Sequence, residues 1–160
     1  MTMDQFMKIG AIKAESRDKA HAGEIDVLAW SWGASNSGSA HVGGGAGAGK
    51  ANVQDLSFTK YIDKSTPDLL NACCTGKHFA TAVLIVRKAG EKPLEYIKIT
   101  LYQVLITSVS TGGSGGEDRL TENVSLNFAK VKFEYVEQNA KGEKAATPSM
   151  LYDVAENSKE

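Results

Sequence analysis

The chain has little that would staple it, anchor it or give it a chemical centre. It has two cysteines, and they are adjacent, Cys73 and Cys74. Neighbours on one backbone cannot form an unstrained disulfide, and the pair lacks the spacing of a zinc site. The expectation is two small apolar side chains, buried or half-buried, on a helix. No metal and no cofactor is expected. Prolines number three and no apolar run approaches bilayer length, so neither a proline-rich linker nor a membrane span is expected. Residues Met1 to Lys13 contain neither an apolar core of signal-peptide length nor a small-residue cleavage site. A chain made in the cytoplasm is therefore expected, with any export by a route that leaves no cleavable mark. Neither sign of charge dominates: the net charge is −1. That balance excludes the concentrated basic face of a nucleic-acid or membrane-surface binder.

What is present is one domain's worth of strand. At 160 residues the chain can bury roughly two-thirds of its unfolded surface without staples. We read residues 1–160 as a single domain with a polar, looser tail over 138–160. Ile25, Val27 and Ala29 alternate and run into Trp30 and Trp32, which share a face on a strand. Leu56 and Phe58 alternate with Ser57 and Thr59. Val83 to Val86 is apolar on both faces, as in a strand covered on two sides. From Leu94 to Val109 the alternation is the clearest in the chain. Val124, Leu126 and Phe128 alternate, as do Val131, Phe133 and Tyr135, but the step from Phe128 to Val131 is odd. A β-bulge near Ala129-Lys130 is the expected cause.

One helix interrupts the strands. Thr66-Pro67-Asp68 reads as an N-cap, a first-turn proline and a favourable carboxylate. Leu69, Leu70 and Cys73 make an apolar stripe, and Gly76 closes the helix. The fold class expected is mainly β: a small barrel or sandwich with one helix on its flank.

Two loops rich in small residues remain, Asn36 to Lys50 and Ser108 to Gly116. Gly44 with Gly49-Lys50 matches part of a phosphate-binding loop, but Ala51 stands where Ser or Thr would hold magnesium, and a strand pattern comes next instead of a helix. Gly43-x-Gly45-x-x-Ala48 fails as a dinucleotide fingerprint for want of a βαβ setting. His21, His41 and His78 are far apart and read as solvated or hydrogen-bonded loop histidines. Glu117-Asp118-Arg119 reads as an ion pair flanking a turn. No nucleophile and base stand at a convincing spacing, so no enzyme is expected. Glycine-rich arms on a barrel suit a binding or assembly module, because glycine lets a loop lie against another backbone.

Several long segments in register resemble one family. They are Gly23 to Gly33, Asn52-Val53-Gln54-Asp55, Phe58 to Pro67, Gly76-Lys77-His78, and Ser108 to Asn123. In these segments, and from Met3 to about Glu137, the chain resembles the haemolysin-coregulated protein (Hcp) family of type VI secretion. At the end it has Tyr152-Asp153-Val154 where the family often has a Trp-Asp-Ile-like strand. The resemblance implies a two-sheet β-barrel with one lateral α-helix and extended Gly-rich loops. It implies six copies in a ring, rings stacked into a tube inside a contractile sheath, a VgrG-type spike at the tip, and small effector proteins held in the lumen. Secretion would follow firing of the apparatus. Carried onto this chain, Ser37, His41, Gly43, Gly44, Gly45, Gly47, Gly49 and Lys50 form the arm that meets a neighbouring subunit or ring, and Ser114 faces the lumen. The rival readings are a monomeric secreted effector or binding module of the same fold, and an enzyme resting on the phosphate-loop remnant.

Overall fold

The computed structural model describes residues 3–36, 51–90 and 93–156, together with the backbone of 158–159. In chain order the elements are β1 (Met3–Ile9), β2 (Ile25–Ser31), β3 (Ala34–Ser35), β4 (Asn52–Val53), β5 (Leu56–Tyr61), α1 (Thr66–Thr75), β6 (His78–Lys88), β7 (Leu94–Thr111), β8 (Thr121–Asn127), β9 (Lys130–Tyr135), β10 (Ser149–Asp153) and β11 (Ser158–Lys159). The main sheet runs β11-β10-β9-β7-β6-β1-β2-β5-β8, and β8 pairs back onto β7. That last pairing closes β7-β6-β1-β2-β5-β8 into a six-stranded barrel. Strand β7 is 18 residues long and serves two partners on one edge. Residues 97–102 pair with β9 and residues 105–111 with β8. The strands β9, β10 and β11 thus extend as a flap from the same sheet that forms the barrel wall.

Period-two alternation fills the barrel. Leu56 and Phe58 of β5, Val124 and Leu126 of β8, Met7 and Ile9 of β1, and Leu84 and Val86 of β6 all point into one core. The expected coverage of β6 on two faces holds: Ile85, on the opposite face, is also buried. The long strand read from Leu94 is β7.

The odd step from Phe128 to Val131 has a different origin from the bulge expected there. Across it the pairing keeps register, with Tyr102 opposite Lys130 and Leu105 opposite Asn127. The partner strand takes the same odd step: Leu101 and Val104 are both buried, and Gln103 between them has φ +54°. In β6, Phe79 and Ala82 repeat it. Adjacent strands change faces together, so the sheet bends without inserting a residue. Within the β7–β8 pairing the register shift lies between Ile106 and Ser108. A second shift, between Val27 and Ala29, leaves Ala29 exposed although it continues the inward alternation of Ile25 and Val27.

The N-cap position of helix α1 is Ser65 rather than Thr66, and its side chain makes no capping hydrogen bond. Thr66 is drawn inward, where its hydroxyl donates to Glu122 Oε2 at 2.8 Å. The buried stripe is Thr66, Leu69 and Ala72, so the helix is rotated from the expected face. Leu70 and Cys73 are half-buried and Cys74 is exposed. Gly76 ends the helix with φ +68°, as its position suggested. Beyond Gln138 the chain turns back, and β10 pairs with β9 from Ser149 opposite Glu134 to Asp153 opposite Lys130. Tyr152 and Val154 pack against the core there.

Candidate functional site

The first site is the root of the long loop. Trp32, just past β2, packs 6.4 Å from the rings of both Phe128 and Phe133, and its indole N–H donates to the Gln54 carbonyl at 3.0 Å. Gln54 N–H donates to the Gly33 carbonyl at 2.9 Å. Strands β3 and β4 then pair, Ala34 opposite Val53 and Ser35 opposite Asn52. The chain therefore leaves and returns side by side on a fixed root. An apolar hollow of about 130 Å³ lies between this root and the flap, lined by Trp32, Ala34, Val53, Val131, Met150 and Tyr152 among others. Met150 is one of the large exposed apolar side chains. The arm residues Ser37, His41, Gly43, Gly44, Gly45, Gly47, Gly49 and Lys50 lie outside the described residues. Beyond the arm the chain enters β4, a strand as expected, so the phosphate-loop setting of strand then helix is not met on that side.

The second site is the β7–β8 turn. Ser114 is exposed there, its carbonyl accepting the Glu117 N–H at 3.3 Å. Together with Ser110, Thr111, Thr121 and Asn123 it borders an open cleft. Arg119 does not form the expected pair with its acidic neighbours. Its guanidinium stacks 3.7 Å from the centre of the Tyr61 ring, which satisfies the cation on an aromatic face. Asp26, close by, is pushed up by burial, against a hydrogen bond from Ser16.

The buried charges were not legible as a site. Lys60 and Glu122 stand opposite each other on β5 and β8 and point into the barrel end. Lys60 Nζ lies 2.5 Å from Glu122 Oε2 and 3.1 Å from Asp63 Oδ1. A lysine completing the inward set Leu56, Phe58, and a glutamate beginning the inward set Val124, Leu126, were the available signals. On the outer face Arg87 bonds Asp18 at 2.6 Å and Asp4 at 3.0 Å. The Arg87 hydrogen bond holds the Asp18 carboxyl down at about 2, and the arginine is raised in turn. Of the histidines, His21 is buried and hydrogen-bonded, while His78 is exposed at the start of β6. Among the described residues no group of His, Cys, Asp and Glu is arranged to hold a metal ion, and Cys73 and Cys74 are unpaired. No described helix is long and apolar enough to cross a membrane. What the described surface offers for assembly is the paired β3–β4 root, the apolar hollow and the polar turn.

Comparison with known proteins shows the family. A family model described as type VI secretion system effector, Hcp, matches residues 6–135. Protein hcp1 of Pseudomonas aeruginosa is 66% identical over 149 residues, which cover 92% of each chain. The crystal structure of Hcp1 from Salmonella typhimurium superposes with a TM-score of 0.82 at 39% identity, covering 99% of both chains. That of a type VI secretion system effector from Yersinia pestis gives 0.77 at 39%, covering 94% of this chain and all of the other. The chain belongs to the Hcp family of type VI secretion system effectors.

Proposed function

We propose that this chain is a structural ring subunit, six copies closing into a ring and the rings stacking into the inner tube of a type VI secretion apparatus. The observation that supports this most is the 66% identity to Protein hcp1 along nearly the whole of both chains. The geometry agrees with it. Barrel closure pairs six strands on both sides over part of their length, and open described edges include those of the β3–β4 root and the end of the flap. Assembly by edge and arm contacts is the use such a surface suits. A ring is a heterologous assembly, so one face of each subunit meets a different face of the next, and a cyclic rotation closes it.

In this reading the role is structural and not catalytic. Ser37, His41, Lys50 and the glycines between them meet the next subunit or ring. Ser114 and its turn face the channel, where small effector proteins are held before export. The VgrG-type spike and the contractile sheath are the other partners. The chain begins in the cytoplasm and is secreted when the apparatus fires. Native mass of the purified protein, with negative-stain images of the same fraction, tests this. Six-fold rings with an open centre are expected. A monodisperse monomer at high concentration would overturn the reading in favour of a monomeric effector or binding module.

A further inference from the structure

The crossover from β1 to β2, residues 10–24, folds back over the outer face of the barrel. It forms a small ladder of its own: Ala14 N–H donates to Gly23 O at 2.8 Å, Gly23 N–H to Ser16 O at 2.9 Å, and Ser16 N–H to Glu24 O at 3.0 Å. Beneath it lie Phe6 and Ile85, paired across β1 and β6, both buried and neither part of the main core. His21 sits over Phe6, ring centres 4.4 Å apart and planes 14° from parallel. Both of its ring nitrogens face carboxylates. Nδ1 is 3.1 Å from each Glu24 oxygen, and Nε2 is 2.6 Å from Glu95 Oε1 on β7. A neutral imidazole has one N–H and one lone pair, so one carboxylate would confront a lone pair. The imidazolium, with two N–H donors, satisfies both.

We infer that His21 is a proton-operated latch: charged, it ties the β1–β2 crossover to β7, and losing its proton loosens the His21–Glu24 segment from the barrel while Asp18 stays held by Arg87.

The charges around it set the direction. Asp4 and Lys8 come from β1, Arg87 from β6, Glu95 and Lys98 from β7, Asp26 from β2, and Asp18 and Glu24 from the crossover itself. Arg87 is committed to Asp18 and Asp4 and lies 5.1 Å from the centre of the Phe6 ring. It holds the same turn from its Asp18 side at every ordinary pH, Asp18 also accepting the His21 backbone N–H. Glu24 and Glu95 have His21 as their close cation. Burial draws the His21 pKa down, but the hydrogen bonds and charges of Glu95 and Glu24 outweigh it and hold the value above 6.5. A raised folded value means the stabilisation is complete below the unfolded pKa and is lost as pH rises through the folded one. The crossover is latched in acid and released on the alkaline side.

The latch is built from contacts within one chain. Its test is amide hydrogen exchange on the full chain at about pH 5.5 and about pH 8.5, on either side of an ordinary histidine, each corrected for the intrinsic rate. Protection of the Ala14, Ser16 and Gly23 amides is expected to fall several-fold at the higher pH, while Leu84 in the barrel wall stays unchanged. In His21→Gln the three amides should show the released level at both pH values. By NMR, the His21 ring should titrate above 6.5, and Glu95→Gln should move that midpoint down. Equal protection at the two pH values, or a midpoint at or below 6.5, overturns the latch. Should His21→Gln fail to fold, Glu95→Gln decides alone, since that side chain is exposed; an unmoved midpoint overturns the inference.

Discussion

Lys60 and Glu122 face each other inside the barrel with side chains wholly removed from water. Each is compensated by the other, with help from Thr66 and Asp63, and Glu122 Oε1 has no hydrogen-bond partner. Replacing one partner leaves the other charge buried, so Lys60→Met or Glu122→Leu should each destabilise the fold by about 3–5 kcal/mol. The double variant should recover most of that loss. Urea unfolding of the dissociated chain measures this, and single variants no less stable than the parent would mean the pair is not sequestered. On the outer face the sign of the pH dependence is that of an acid. Asp18 is held at about 2 by Arg87, against an ordinary value of 3.8. Its contribution is present above the unfolded value and is lost as pH falls from there through about 2. Asp18→Asn should therefore be less stable than the parent near neutrality and show a flatter loss in acid. Equal acid limbs in the two proteins would show that the Arg87 contact adds nothing.

At the scale of elements, two glycines separate backbone from packing. Gly76 ends α1 with φ +68°, and an added Cβ there would meet nothing within 4 Å. Gly76→Ala should cost about 1–2 kcal/mol, the left-handed penalty alone. Gly10 has φ +50°, and its Cβ would come within 2.7 Å of the Phe79 ring. Gly10→Ala should therefore cost more than Gly76→Ala, and thermal or urea unfolding giving the reverse order would mean that Phe79 moves aside freely. The same elements show what could be read in advance. Alternation located β5 and β7, and Pro67 with Gly76 bounded α1, because each rests on residues near in sequence. The out-of-step pair Phe128 and Val131 was visible, but a single strand cannot distinguish a bulge from a bend shared with its neighbours. Gln103 and the buried pair Phe79 and Ala82 settle that only once the strands are paired. Leu28, where β2 slips register, is apolar like its neighbours and gave no signal. His21 finds Glu95 at a separation of 74 residues, beyond any local pattern.

At the scale of the molecule, barrel closure and the arm are separable. The ring of six strands is completed by β8 pairing with both β5 and β7, and the core is drawn from those strands and α1 with Ala14, Phe128 and Val131. The arm joins this body through β3, β4 and the Trp32–Gln54 bond, all of which lie outside residues 37–50. The arm assignment itself came from family resemblance and glycine content, since no residue pattern identifies a partner surface. Removing Gly43–Gly49 shortens a connection whose two ends are already paired, and halving a loop changes closure entropy by only about 0.6 kcal/mol. The urea midpoint of the dissociated chain should thus stay close to the parent's. If the arm carries the contact between rings, the same deletion should leave six-fold rings in negative stain but shift sedimentation from stacked to single rings. A deletion that stacks as readily as the parent would assign stacking to the barrel ends and to the β7–β8 turn around Ser114. A deletion that unfolds earlier would instead mean that the arm packs on the apolar hollow beside Met150 and belongs to the fold.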